Sequence, residues 1–248
     1  MKARDPHNPV LFDRHSERYD QAINDAIAFS GLKVNFFVRV KAAYMQDILA
    51  AHFGDLSKVD LLDVGCGIGN YHPYWIDQVG SLRGVDVSAK SIGHAAERNP
   101  RVVYEAYDGH RLPFADHSFD AVVTICVMHH VDPRQRPGFV TELRRVLRPG
   151  GIVVVFEHNP SNFLTRHVVS NCIFDEGVVL LPHRETEGLM RQVGFDVHPS
   201  RFILLLPAFT KLLRRVDGLF SKLPLGAQYF TCGIAPDVYR NSYSNFPS

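Results

Sequence analysis

The sequence predicts an α/β protein with a mostly parallel sheet that carries helices on both faces. Three observations indicate this fold. Short apolar runs alternate with segments of helical periodicity through the middle of the chain. The apolar run at 61–64 leads directly into a glycine-rich turn. The chain has 248 residues, of which 46% are hydrophobic, and this is enough to bury one large core.

Each element follows from the periodicity of the apolar residues. Helices are predicted at 12–29 and 35–52, before the first strand. Strands are then predicted at 59–64, 82–87, 101–105, 120–126 and 151–156, with helices between them at 71–78, 89–98 and 137–147. Strands that alternate with helices at this spacing are joined by right-handed crossovers. Their carboxyl ends therefore share one edge, where ligands bind.

The last third of the chain has a looser pattern. A helix at 184–193 ends at Gly194, strand character follows at 195–197 and 201–206, and another strand is predicted at 228–234. Between these strands lies a basic helical segment at 208–222, which is expected on the protein surface or, less readily, against a membrane.

Composition limits the classes of partner. Lys plus Arg total 27 and Asp plus Glu total 26, so no strong positive charge favours a nucleic-acid partner. The four cysteines are far apart, and the histidines and acids lack metal-ligand spacing, so neither disulfides nor a metal site are expected. The N-terminus lacks the apolar segment of a secretory signal, which favours a cytoplasmic protein.

The turn at 65–69 indicates a nucleoside ligand. Its glycines follow the pattern G-x-G-x-G, and Asp86 ends the next apolar run, where an acid can bind both hydroxyls of a ribose. A nicotinamide dinucleotide and S-adenosylmethionine both contain such a ribose. The dinucleotide pattern is G-x-G-x-x-G, and Asp63 before the turn would repel a pyrophosphate while attracting a cationic amino-acid group. The turn therefore favours S-adenosylmethionine.

Five motifs in order resemble those of the class I S-adenosylmethionine-dependent methyltransferases that act on small molecules. They are L-L-D-V-G-C-G-I-G-N at 61–70, V-D-V-S at 85–88, Y-D-G-H-R-L-P-F-A-D-H-S-F-D-A-V-V at 107–123, H-H-V-D at 129–132 and L-R-R-V-L-R-P-G-G at 143–151. The resemblance implies a Rossmann-like sheet of seven strands with an antiparallel hairpin at its edge. It also implies one domain over 1–235, made of a helical cap at 1–55, a cofactor-binding core at 56–157 and a substrate-side part at 158–235 that contains a lid, an insertion at 207–226 and the hairpin. A tail at 236–248 would follow.

The motifs also give the cofactor-binding residues. We expect the glycine turn to wrap the methionine and ribose, Asp86 to bind the ribose hydroxyls, and Asp108 to lie beside the adenine amino group. Tyr19 belongs to a segment that resembles the helix closing over the cofactor in many relatives. The full predicted set is Tyr19, Asp63, Gly65, Cys66, Gly67, Gly69, Asp86, Val87, Ser88, Ile92, Asp108, Gly109, Ile125 and Cys126.

The residues that contact the acceptor should follow the fourth and fifth strands. His129, His130 and His158 are the candidates for a catalytic base, although methyl transfer can proceed by alignment of the reactants alone. Glu157, His158 and Asn159 are candidates for binding the acceptor. Arg166 is a further candidate, on a segment at 158–183 that would form a lid.

The predicted activity is methyl transfer from S-adenosylmethionine to a small organic acceptor, with oxygen of a sugar or secondary metabolite favoured. The alternatives are N- or C-methylation of a small molecule or lipid-linked intermediate, a noncatalytic S-adenosylmethionine-binding protein, and a nicotinamide-dependent oxidoreductase. The chain is expected to act as a monomer or homodimer.

Overall fold

A computed structural model describes residues 19–28, 31–208 and 210–236. Two helices precede the sheet: α1 spans Tyr19–Ala26, and α2 spans Val34–Phe53. Helix α2 ends at Gly54, whose φ of 73° is readily adopted only by glycine. The predicted N-terminal helix began at residue 12, and its first part lies outside the described residues, as does the predicted tail after residue 236.

The core of the fold is a five-stranded parallel region. Its strands are β1 (Asp60–Val64), β2 (Ser81–Asp86), β3 (Val103–Ala106), β4 (Phe119–Ile125) and β5 (Leu147–His158), in the spatial order β3-β2-β1-β4-β5. The helices between them are α3 (His72–Trp75), α4 (Ala89–Arg98) and α5 (Arg136–Val146). The strand order reverses between β1 and β4, and this is where an open α/β sheet forms its ligand-binding crevice.

An antiparallel edge completes the sheet. Helices α6 (Phe163–Asn171) and α7 (His183–Gln192) follow β5, and α8 (Lys211–Leu219) precedes the strand β8 (Gln228–Ile234), which pairs antiparallel with β5. Two short strands, β6 (Asp196–Val197) and β7 (Arg201–Ile203), pair with β8 on its other side. They occupy one position in the sheet, because the strand is interrupted at Pro199, which cannot donate to the ladder. The predicted seven-stranded architecture is confirmed, with its seventh position split in two.

Both faces of the parallel region are apolar and covered. On one face, Leu61, Val123 and Phe156 pack in a cluster that includes Met45 of α2. On the other, residues such as Leu62, Val122 and Val153 pack with Phe139 and Leu143 of α5. The near-continuous apolar runs seen in the sequence therefore reflect strands that are buried on both sides.

Helix α8 corresponds to the basic segment predicted at 208–222. Its buried Asp217 accepts a hydrogen bond from the Tyr44 hydroxyl at 2.8 Å and others from the backbone N–H groups of residues 204–206. Leu212 and Leu219 remain exposed on its outer face. The helix is thus anchored by polar contacts to α2 and to the loop that follows β7. In the part of the chain that the structure describes, no helix combines the length and apolarity needed to cross a bilayer.

Candidate active site

The glycine turn after β1 lines a cavity of about 350 Å³. Gly65 has a φ of 78°, and a Cβ atom there would overlap the side chain of Val127. Gly67 has a φ of 51°, lines the cavity, and has no atom within 4 Å of the place where its Cβ would stand. The first glycine therefore permits close packing between neighbouring strand ends, and the second leaves an open backbone surface for a ligand.

Asp86 lies at the end of β2 beside this turn and also lines the cavity. Its Oδ2 accepts a hydrogen bond from Gly67 N–H at 2.8 Å, and its Oδ1 accepts one from Ser88 N–H at 2.9 Å. Burial raises the pKa of Asp86 to about 6, although the bonds from Ser88 and Gly67 act in the opposite direction. Each carboxylate oxygen keeps a further lone pair, so the group can accept hydrogen bonds from a diol.

Asp63 lies behind the turn, away from the cavity lining. Its Oδ2 is 3.0 Å from His72 Nε2, and the other ring nitrogen of His72 contacts the Tyr104 hydroxyl. Asp63 and His72 are both almost completely buried. This differs from the prediction that Asp63 approaches the amino group of the cofactor, because its carboxylate is engaged by a histidine that supports the turn.

The other predicted cofactor residues divide into two groups. Those that line the cavity are Gly65, Cys66, Gly67, Asp86, Val87, Gly109, Ile125 and Cys126. Gly69, Ser88, Ile92 and Asp108 are not among its lining residues. Asp108 is exposed and accepts hydrogen bonds from His110 N–H and Arg111 N–H, and the Ser88 hydroxyl caps α4. Sequence motifs therefore contain residues that shape the backbone as well as residues that face a ligand. Tyr19 begins α1, and its side chain lies outside the described part of the chain.

Three histidines and two acids form a second cluster, of which the histidines and Asp175 line the same cavity. His129 Nδ1 is 2.6 Å from Glu157 Oε2, and His129 Nε2 is 3.3 Å from Asp175 Oδ1. His130 Nε2 lies 3.4 Å from the same Asp175 oxygen. The His129 and His158 rings have their centroids 5.1 Å apart. The three predicted candidates for a base are thus in one group, and all three line the cavity.

The charges of this group are strongly coupled. Burial opposes protonation of His129, yet Glu157 and Asp175 outweigh it and hold the pKa of His129 above its ordinary value. Burial and the neighbouring His129 lower the pKa of His130 to about 3. His129 and His130 are adjacent in the sequence, but their pKa values are shifted in opposite directions. The reason is that His129 makes the direct contact with Glu157.

Lys41 also lines the cavity. Its side chain is only 5% exposed, and its Nζ lies 3.6 Å from Cys126 Sγ and 5.6 Å from the centroid of the Tyr71 ring. Burial raises the pKa of the Cys126 thiol, but Lys41 and His158 outweigh burial and hold that pKa at about 7. Cys126 has a φ of 57°, an unusual conformation for a residue with a side chain. The strand thus turns sharply at the cavity.

Lys41 is absent from the site residues predicted from the sequence. A signal was present, because Lys41 stands on the apolar face of α2 at helical spacing from Val38 and Met45. A single basic residue within such a face is costly to bury and indicates a specific role. Gln228 at the start of β8 was also missed, since a polar residue at the end of an edge strand gives no distinctive pattern.

Part of the segment predicted as a lid lines the cavity. Side chains of α6 and of the 3-10 turn Ile173–Asp175 face inward, namely Leu164, Thr165, Val168, Phe174 and Asp175. Arg166 points to the other side of α6 and lines a separate surface cavity with Glu176.

Two other predicted acceptor residues do not line the main cavity either. The Nδ2 of buried Asn159 donates to the carbonyl oxygens of Pro224 and Gly226, and its Oδ1 accepts from Ser161 N–H. Glu157 is also absent from the lining, because both of its oxygens are bonded to the 3-10 turn Met128–His130. Asn159 and Glu157 therefore hold loops in place. This differs from the prediction that their side chains contact the acceptor directly.

Comparison with known proteins agrees with this architecture. A family model described as "Methyltransferase domain" matches residues 62–155. The chain is 35% identical over 130 residues to a ubiquinone biosynthesis O-methyltransferase of Sinorhizobium medicae, covering 48% of this chain and 52% of that protein. It is 32% identical over 155 residues to a demethylmenaquinone methyltransferase of Beutenbergia cavernae, covering 62% of this chain and 59% of that protein. The chain thus spans between half and three fifths of the length of these relatives.

The fold also resembles that of solved methyltransferase structures. A crystal structure of an S-adenosylmethionine-dependent methyltransferase from Thermotoga maritima superimposes with a TM-score of 0.63 at 20% identity, covering 91% of this chain and 98% of that one. At this identity the likeness concerns the fold. Together with the matched family model and the curated relatives, it confirms the resemblance that the five motifs indicated. The chain belongs to the class I S-adenosylmethionine-dependent methyltransferases.

Proposed function

We propose that this chain transfers the methyl group of S-adenosylmethionine to a hydroxyl oxygen of a small, largely apolar acceptor. One observation carries the proposal: the glycine turn with Asp86 and the three histidines line the same cavity. Methyl transfer requires a donor and an acceptor that are aligned in one enclosed space. A cavity that combines a nucleoside site with ring nitrogens is suited to this reaction.

The residues present fit the cofactor. Gly67 presents open backbone, and the Asp86 carboxylate has lone pairs for the two ribose hydroxyls. When bound, the cofactor supplies a methyl group that a positively charged sulfur has already activated. The task of this chain is therefore to hold the nucleoside, orient the methyl group towards the histidines and exclude water.

We assign Lys41 to the carboxylate of the methionine part of the cofactor. Among the described residues that line the cavity, Lys41 alone carries an ammonium or guanidinium group. It lies against Cys126 and Tyr71, which follow the strand ends that hold the nucleoside. A buried ammonium requires a negative partner, and the cofactor carboxylate would supply one at this position.

The walls of the cavity favour an apolar acceptor. Beyond the histidines they are formed mainly by aliphatic and aromatic side chains, such as Ile23, Ile27, Val34, Phe37, Val168 and Phe174. A sugar would leave several hydroxyl groups without hydrogen-bond partners on these walls, which is unfavourable. Of the two predicted acceptor classes, we therefore propose a hydroxylated secondary metabolite. Oxygen as the methyl acceptor is supported by the O-methyltransferase among the relatives.

A transfer assay tests this function. Purified protein is incubated with S-adenosylmethionine and a panel of phenols and hydroxyquinones, matched with a panel of free and nucleotide-linked sugars. We expect S-adenosylhomocysteine, quantified by mass spectrometry, to form with the aromatic hydroxyl panel and very little with the sugars. Asp86→Ala should reduce the product at limiting cofactor, whereas the exposed control Asp77→Asn should not.

Three outcomes would contradict the proposal. Tight binding of S-adenosylhomocysteine without turnover of any acceptor would indicate a noncatalytic binding protein. Binding of a nicotinamide dinucleotide in its place would indicate an oxidoreductase. Products methylated on nitrogen or carbon, identified by fragmentation, would retain the methyl transfer but exclude oxygen as the acceptor atom.

A further inference from the structure

Three side chains with metal-ligating atoms converge within the histidine cluster. One ligand atom each from His129, His158 and Asp175 lies within 4.8 Å of the other two. They come from three separate parts of the chain: the 3-10 turn after β4, the end of β5 and the lid. This separation explains why the sequence shows no metal-ligand spacing and why we expected no metal site.

The surroundings of His129 resemble those of a metal-bound histidine. Its Nδ1 lies 2.6 Å from Glu157 Oε2, and the second oxygen of Glu157 accepts a hydrogen bond from Met128 N–H at 2.7 Å. A carboxylate that accepts Nδ1–H fixes the tautomer and directs the Nε2 lone pair away from itself. In this structure Nε2 faces Asp175 and the cavity.

The distance between the proposed ligands suits a shared cation. His129 Nε2 and Asp175 Oδ1 are 3.3 Å apart. Two ligand atoms bound at about 2.1 Å to a tetrahedral zinc ion are separated by about 3.4 Å. If Nδ1–H is donated to Glu157, a neutral His129 has only a lone pair to present to Asp175. This contact becomes favourable when positive charge lies between the two atoms, either as a proton on the ring or as a metal ion.

Gln228 provides a second, independent observation. It is 6% exposed and lines the cavity, and its Nε2 lies 3.3 Å from His158 Nδ1. Its Oε1 is buried and has no hydrogen-bond partner among the described residues. A buried acceptor without a partner beside a ligand histidine requires a donor. Water bound to a metal ion is such a donor.

We propose that His129, His158 and Asp175 bind a divalent ion of the zinc type, with Glu157 positioning His129. Two imidazoles and one carboxylate form the ligand set of an open zinc site, which keeps one position for water or substrate. The role of the ion rests on the proposed function. The acceptor oxygen would take the open position and release its proton to solvent. It would then attack the methyl carbon, and the electrons of the broken carbon–sulfur bond would remain on sulfur.

Metal binding is tested directly and without an acceptor. Protein freed of metal with a chelator is titrated with Co²⁺, which reports tetrahedral coordination by visible absorption, and is then dialysed against Zn²⁺ to measure stoichiometry. We expect one ion per chain and loss of binding in His129→Ala, His158→Ala and Asp175→Asn. Glu157→Gln should weaken binding 10- to 100-fold, since it alters only the positioning group. The exposed His198→Ala is the matched control and should bind like the unmodified protein.

Folding and function are checked separately. Each variant is also titrated with S-adenosylhomocysteine, whose proposed contacts are the glycine turn, Asp86 and Lys41, so retained affinity shows that a variant is folded. An absence of stoichiometric Co²⁺ or Zn²⁺, or binding unaffected by these substitutions, would overturn the metal site and leave an imidazolium between the two acids. Metal binding without any methyl transfer would retain the site and overturn the proposed function instead. Transfer that persists unchanged in metal-free protein would retain the proposed function and overturn the role of the ion in it.

Discussion

The glycine turn with Asp86 and the histidine cluster are built in different ways. In the first, β1 and β2 place Gly67 and Asp86 only 19 residues apart, and backbone N–H groups donate to the Asp86 carboxylate. In the second, Glu157 and Asp175 reach His129 from 28 and 46 residues away, through side chains. The first is a local property of two adjacent strands and their turns, whereas the second exists only when distant segments are packed together.

The largest expected effect concerns the turn itself. Gly65→Ala should lower the free energy of unfolding by about 3 kcal/mol, because a non-glycine residue is strained at its φ of 78° and the new methyl group overlaps Val127. Urea unfolding measures this loss. Gly31→Ala is the control, since Gly31 has a similar φ of 68° but open space around it, and should lose only about 1 kcal/mol. Equal losses in the two variants would show that packing against Val127 does not constrain the turn.

The second prediction concerns pH. Because the pKa of Asp86 is about 6, this carboxyl is protonated in more acidic solution and accepts the ribose hydroxyls poorly. Affinity for S-adenosylhomocysteine should therefore fall about tenfold for each pH unit below 6, as measured by calorimetry. Asp86→Asn should bind weakly at every pH, without this trend. A pH dependence that survives in Asp86→Asn would assign the titration to another group.

The raised pKa of Asp86 has the opposite pH dependence in its effect on the stability of the unbound protein. The folded pKa of Asp86 lies above its ordinary value of 3.8, so the folded state holds this proton more tightly than the unfolded chain does. The contribution of Asp86 to stability is then full below about pH 3.8 and is lost as the pH rises through about 6. Bound cofactor should reverse this loss, since it favours the ionised carboxylate.

The third prediction distinguishes contacts with the amino-acid part of the cofactor from contacts with its nucleoside part. Lys41→Met should weaken binding of S-adenosylhomocysteine about tenfold, by removing a charge-assisted hydrogen bond of about 1.4 kcal/mol. Methylthioadenosine has the same thioether nucleoside without the amino-acid group, so its affinity should be unchanged in this variant. Asp86→Asn should weaken both ligands. A variant of Lys41 that weakens both equally would place the ammonium away from the cofactor carboxylate.

The smallest expected effect tests a residue that belongs to a motif but does not face the cavity. Asp108→Asn should change the affinity for S-adenosylhomocysteine less than twofold, because the exposed Asp108 carboxylate accepts only the backbone N–H groups of His110 and Arg111. Stability should be nearly unchanged, as is usual for a substitution on the surface. A tenfold weaker affinity would support the contact with adenine that the motif predicts.

The same contrast explains which features of the molecule are predictable from the sequence. The alternation of strands and helices determined the sheet, and the turn at 65–69 with Asp86 indicated the nucleoside site, because these signals are contained in short segments. The grouping of His129 with Asp175 depends on how the lid folds over the sheet, which no local pattern encodes. Asp63 and Asn159 have side chains suited to ligand binding, but their partners are His72 and the carbonyls of a distant loop.

The conformation of Cys126 has a consequence for protein engineering. A non-glycine residue in the left-handed region costs on the order of 1 kcal/mol or more, so Cys126→Gly is a natural candidate for a more thermostable protein. The same change would remove the thiol that lies beside Lys41 and Gln228. Selection for heat resistance alone would therefore favour loss of the Cys126 side chain. If a side chain persists at this position under such selection, its persistence would indicate that turnover depends on it.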